Sequence, residues 1–321
     1  MNLRHLTHCP AIVLVCVILG AGLVACGGGA VTSSSSEAAT FSDAVGAEPC
    51  DSSSAVDLTS IELDVAGERR AAVVHIAAGV EATEPLPLVL GFHGFGGTPQ
   101  DLQGDSSLFE KADAEGFVAV LPAAVGNPTR WDLSDAESPD FAFVDALLTE
   151  VQRRVCINPN RRYATGFSQG ATMANAVGCS RPDRFAAIAP VAGAYAPTWR
   201  NICAGRPMPV IAFHGVLDPI VPYTGGTDRG GRPVIAAEEW AAGWAEMNGC
   251  AGGPQPQPSI GDVQPLFWSA CAAAVEFYRV TQAGHSWPGG PHDDPAMGGS
   301  SEAVSASDLI WAFFERHARS L

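Results

Sequence analysis

The sequence predicts a doubly wound α/β domain over residues 49–321, with a mostly parallel sheet opened by an N-terminal antiparallel hairpin. Three observations predict it. Short, near-continuous apolar runs alternate with longer helical stretches, as in a parallel sheet covered on both faces. Hydrophobic residues make up 47% of the 321, enough for a large core. No internal repeat interrupts the alternation.

Ser60–Val65 and Arg69–Ile76 read as two strands around Ala66-Gly67, the opening hairpin. Further strands are expected at Leu86–Phe92, Phe117–Leu121, Arg162–Thr165, Phe185–Val191, Pro209–Phe213 and Ala274–Val280. Helices are expected at Asp101–Glu115, Asp140–Val155, Gln169–Cys179, Ala236–Met247 and Ser305–Arg319. About fifteen residues lie between Ala194 and the strand at Pro209, which leaves no room there for a large cap domain. The longer stretch 224–273 reads as scaffold more than lid.

Ahead of the domain, residues 1–25 form a basic start, an apolar core and a small-residue end, a secretory signal peptide. Pro10, Gly20 and Gly22 break the apolar run below the roughly 20 residues of a membrane span. Residues 26–48 are rich in Gly, Ser and Ala and predict a flexible tether. Past Cys26, six cysteines remain: Cys50, Cys156, Cys179, Cys203, Cys250 and Cys271. An even set in an exported chain predicts disulfides, with fifteen connectivities open. The net charge of −16 argues against nucleic acid and favours a neutral substrate. The Cys and His spacings predict neither a metal site nor a cofactor, and the loop His292-Asp293-Asp294 reads as solvated.

The chemistry-bearing motifs follow the predicted strands. Gly166-Phe167-Ser168-Gln169-Gly170 lies between a strand and a helix, the context of a nucleophile elbow. Its turn exposes the Ser168 hydroxyl, and glycine is expected at 166 and 170 because side chains would clash. His93-Gly94-Phe95-Gly96-Gly97 follows an earlier strand. The backbone N–H groups of Phe95 and Gln169 are the expected oxyanion donors, while the His93 side chain reads as structural. Asp218 lies in His214–Pro222 after an apolar strand, and His285 lies in Gly284–Gly290 after the last one. The order Ser168, Asp218, His285 is that of the α/β-hydrolase triad. His285 is then the general base, Asp218 its orienting acid and Ser168 the nucleophile of an acyl-enzyme. Phe95, Phe167, Trp131 and Trp287 lie in or beside these loops and are candidates for an apolar acyl pocket.

These residues resemble the exported polyhydroxybutyrate depolymerase and feruloyl esterase superfamily of α/β-hydrolases, including its lipoprotein branch. The resemblance rests on Tyr163–Ser168, Arg184–Gly193, His214–Pro222 and Gly284–Gly289. It departs at Ala171, where the family usually has a second glycine. It implies an α/β-hydrolase fold and a serine ester hydrolase, with polyhydroxybutyrate-type polyesters as first substrate and feruloyl or short-chain esters as alternatives. The family's cysteine placement implies Cys179–Cys203 and Cys250–Cys271, which leaves Cys50 and Cys156 for each other. Leu23-Val24-Ala25-Cys26 resembles a lipobox and implies lipidation at Cys26. The expected product is a monomer, secreted or held at a bacterial membrane by that lipid alone.

Overall fold

Strand β1 (Ser60–Val65) pairs antiparallel with β2 (Glu68–Ile76), closing the expected hairpin through Ala66 and Gly67, both at positive φ. The computed structural model describes residues 58–80 and 84–319, all within the contact unit Pro49–Leu321. The signal, Cys26, the tether and Cys50 lie outside the described residues.

The elements continue as β3 (Leu86–Phe92), α1 (Pro99–Ser106), α2 (Leu108–Glu115), β4 (Val118–Pro122) and a small ribbon of β5 (Val125–Gly126) with β6 (Thr129–Arg130). Next come α3 (Pro139–Arg154), β7 (Ile157–Phe167), α4 (Gln169–Ser180), β8 (Ala187–Val191) and β9 (Val210–Gly215). A second ribbon of β10 (Gly226–Thr227) and β11 (Pro233–Val234) precedes α5 (Ala237–Met247). The chain closes with β12 (Gln255–Pro256), β13 (Val263–Trp268), β14 (Val275–Val280) and α6 (Ala306–Arg316).

The main sheet runs β1-β2-β4-β3-β7-β8-β9-β14-β13-β12. Its centre, from β4 to β14, is parallel throughout. Both flanks are antiparallel, with β2 on β4 at one side and β13 on β14 at the other. The flank at β13 and β12 is not among the predicted strands. Pro265 interrupts its apolar alternation, and the strand declares itself only by pairing with β14.

Strand period two divides the core. On β3, Leu88, Leu90 and Phe92 join the cluster that packs with α3, α4 and α5. Val89 points to the opposite face, covered by α1, α2 and α6. One predicted helix, Asp101–Glu115, is two. Ser107 adopts φ 51° and ends α1 within Gly104-Asp105-Ser106-Ser107, a run of weak helix formers. The Ser106 hydroxyl donates back to Leu102 O, which competes with helix continuation. Thr98 and Asp101 form a capping box with Pro99 at the first position, so α1 starts earlier than expected.

A buried ion pair ties the hairpin to the helical layer. Arg70 of β2 meets Asp140 of α3, both at most 2% exposed, and the guanidinium lies 4.3 Å from the Phe143 ring centroid. Asp140 also accepts from the Asp132 N–H. Disulfides join Cys179 to Cys203 and Cys250 to Cys271. Cys156 is also disulfide-bonded.

Candidate active site

The parallel strands point their carboxyl ends at one edge, and the loops there bring the predicted motifs together. Ser168 sits between β7 and α4 with φ 56° and ψ −119°, a backbone conformation rare for a residue with a side chain. The two glycines around it are needed for a reason the motif does not show. A Cβ on Gly166 would lie 2.8 Å from Phe92 O, and one on Gly170 would lie 2.6 Å from His93 O. The elbow is pressed against the end of β3, as well as folded tightly on itself.

His285 and Asp218 meet behind Ser168. His285 Nδ1 lies 2.7 Å from Asp218 Oδ2, with both side chains at most 3% exposed. An ionised carboxylate can only accept, so Nδ1 carries a proton, and in the neutral ring that leaves the lone pair on Nε2. Asp218 Oδ1 accepts from the N–H groups of Ile220 and Val221, each at 2.8 Å. His214 adds a further contact, its Nε2 3.4 Å from Asp218 Oδ2 and 3.0 Å from Val221 O. A carbonyl only accepts, so that Nε2 carries a proton. Burial alone would raise the Asp218 carboxyl. Hydrogen bonds from His214 and His285 outweigh it and hold the group well below the usual carboxylate range.

Trp131 braces the front of the site. Its Nε1 donates to His93 O at 2.8 Å, and its backbone N–H donates to Gln169 Oε1 at 3.1 Å. It therefore couples the His93–Gly97 loop to the elbow. The His93 ring is locked as well, with Nδ1 2.8 Å from Gly94 O and Nε2 accepting from the Ala124 N–H at 3.0 Å. Burial lowers the His93 pKa, with the Gly94 carbonyl opposing, which keeps the ring neutral. Neither Phe95 N–H nor Gln169 N–H has a hydrogen-bond partner among the described residues. Both residues line the same cavity as Ser168.

That cavity, about 520 Å³, also takes in His285, with apolar walls from Phe95, Phe167, Ile220, Val221 and Met297. Of the four aromatic candidates, two line it. Phe95 is 53% exposed at its mouth, and the Phe167 ring packs on His285 at 4.9 Å between centroids. Trp131 is not a wall: it is 2% exposed and edge-on to Phe92 in the core. Trp287 is buried too, its Nε1 donating to Ser307 Oγ at 3.0 Å. It borders a second cavity beyond His285 instead.

His214 and the turn Asp228–Arg232 belong to the site and carried no assigned role in the sequence. His214 stands four residues before Asp218, a spacing that hints at shared work only once Asp218 is assigned. Asp228–Arg232 falls inside the stretch 224–273 read as scaffold, yet it forms a wall of the Ser168 cavity. The rest of that stretch is scaffold, through α5, β12 and β13.

Residues 139–229 match the Phospholipase/Carboxylesterase family model. Feruloyl esterase C of Emericella nidulans is 30% identical over 251 residues, covering 75% of this chain and 82% of that protein. The putative esterase NocK of Nocardia uniformis subsp. tsuyamanensis is 29% identical over 282 residues, covering 79% and 82%. Among solved structures, acetyl xylan esterase from Aspergillus awamori superposes with a TM-score of 0.60 at 14% identity, over 80% of this chain and 98% of that one. The fold is therefore that of the α/β-hydrolases, as the motif order predicts. With a relative matched at 30% along most of both lengths, the chain belongs to the α/β-hydrolase superfamily and is a carboxylic ester hydrolase.

Proposed function

We propose that Ser168 attacks the ester carbonyl, that His285 is its general base and that Asp218 holds the histidine tautomer. The hydrogen bond between His285 Nδ1 and Asp218 Oδ2, facing the cavity of Ser168, carries this reading. His285 Nε2 takes the serine proton as the acyl bond forms, then returns it to the leaving alcohol. Water activated by the same nitrogen releases the acid. The free N–H groups of Phe95 and Gln169 receive the developing oxyanion, each contributing about 10²–10³ in rate.

The acyl group is read as hydroxycinnamoyl. Support comes from the apolar cavity with Phe95 and Phe167 at its wall and from relatives named feruloyl esterase. An aliphatic polyester is the second reading. It is favoured by two further cavities that share walls with the Ser168 cavity, one through Gln169 and Ala194 and the other through Phe167 and His285, room for a chain. The disulfides support an oxidising, extracytoplasmic setting. Export by residues 1–25, lipid attachment at Cys26 and a monomeric state complete the proposal.

Initial rates on methyl ferulate and on 3-hydroxybutyrate oligomers separate the two substrates, with Ser168→Ala as control. The ferulate is expected to be preferred. Ser168→Ala and His285→Ala should each lower turnover by on the order of 10⁶. Near-native turnover in Ser168→Ala would end the mechanism.

A further inference from the structure

The Ser168 cavity has a charge that the whole chain does not. Its charged lining residues are Arg229, Arg232 and Asp228, two arginines to one aspartate in a protein of net charge −16. The turn that carries them is rigid. Asp228 is 5% exposed and accepts from Arg232 N at 2.9 Å and Arg232 Nε at 2.8 Å. The Arg229 N–H donates to Ile220 O at 2.8 Å, fastening the turn to the strand end that carries Asp218. Asp228 thereby neutralises Arg232. Arg229 is exposed and has no carboxylate partner among the described residues.

The neighbouring cavity beyond His285 has the opposite sign. It shares Phe167, His285 and Met297 with the first, but its charged lining includes Asp105, Asp293 and Asp294. His285, which protonates the leaving oxygen, lines both cavities, whereas the oxyanion donors Phe95 and Gln169 line the Ser168 cavity and not the acidic one, which places the alcohol toward the acidic side. The acyl part then occupies the Ser168 cavity, toward Arg229. Remote surface charge is damped over a Debye length of about 8 Å, so an arginine at the cavity wall outweighs the distant acidic surface.

We propose that Arg229 is a specificity-determining residue that pairs with a carboxylate at the far end of the substrate's acyl group. The site would thus accept half-esters of dicarboxylic acids, a substrate class beyond the hydroxycinnamoyl esters. The inference rests on the Ser168–His285 reading. No new bond is made or broken: the carboxylate takes hydrogen bonds from the guanidinium while Ser168 attacks the ester at the other end.

The test compares ethyl hydrogen adipate with ethyl hexanoate, acyl chains of equal length with and without the terminal carboxylate, by acid release. In Arg229→Gln the ratio of kcat/KM for the adipate over the hexanoate should fall about tenfold, through KM more than kcat. Arg229→Lys should recover part of the ratio. Added salt should lower the wild-type ratio, a readout that needs no variant. A ratio unmoved by both Arg229→Gln and salt would overturn the proposal. Turnover of the hexanoate by Ser168→Ala at the wild-type rate would instead overturn the mechanism beneath it.

Discussion

Asp218 shows how one side chain is held by everything around it. Both oxygens are fully used, Oδ1 by two backbone N–H groups and Oδ2 by two histidines. A carboxyl with its folded pKa depressed binds fewer protons folded than unfolded. Its contribution to stability is therefore whole above the unfolded value of about 3.9 and is lost as pH falls below that toward the folded pKa. Asp218→Asn should flatten this acid limb in a series of denaturant titrations. An unchanged limb would mean that other carboxylates set it. The same variant should lower kcat by about 10⁴, because the amide cannot enforce the His285 tautomer.

At the scale of elements, the loops at the strand ends depend on braces drawn from elsewhere in the chain. Trp131 follows β6 and links the loop after β3 to the elbow before α4. Trp131→Phe would keep the ring contact with Phe92 but strand His93 O without its donor. Expected outcomes are a loss of about 1–3 kcal/mol and a lower kcat with KM little changed, since the Phe95 N–H would lose its fixed position. A variant with native kcat would leave the brace without a catalytic consequence. The Arg70–Asp140 pair works similarly between β2 and α3. Arg70→Met leaves Asp140 buried and unpaired and should cost about 3–5 kcal/mol by urea unfolding. A loss under 1 kcal/mol would show that the Asp132 N–H satisfies the carboxylate without the arginine.

Across the whole molecule, the disulfides close loops on one side of the sheet, with sequence separations of 24 and 21. Each should stabilise the fold by about 3 kcal/mol by restricting the unfolded chain. Full reduction should lower the melting temperature by roughly 10–20 °C, and an unchanged Tm would assign the stability to the core alone. Cys179 is buried and Cys203 half-buried, whereas Cys250 and Cys271 are both half-buried, so mild reductant should open Cys250–Cys271 first. Mass spectrometry after alkylation reads the order directly.

The sequence by itself determined the class of fold, the parallel centre of the sheet and the strand-end positions of Ser168, Asp218 and His285. These depend on local signals: strand runs buried on both faces, helical stretches, and glycines around a strained serine. What lay beyond it were matters of pairing and contact that no single segment's own residues state. The β13 flank exists because β14 offers a partner. Trp131 turned inward because His93 O and Gln169 Oε1 waited there, and the Asp228–Arg232 turn became a cavity wall because Ile220 anchors it. A side chain's immediate neighbours along the sequence decide its backbone, but whether it packs, braces or faces a substrate is decided by the other segments it meets in the fold. The tertiary structure alone supplies those.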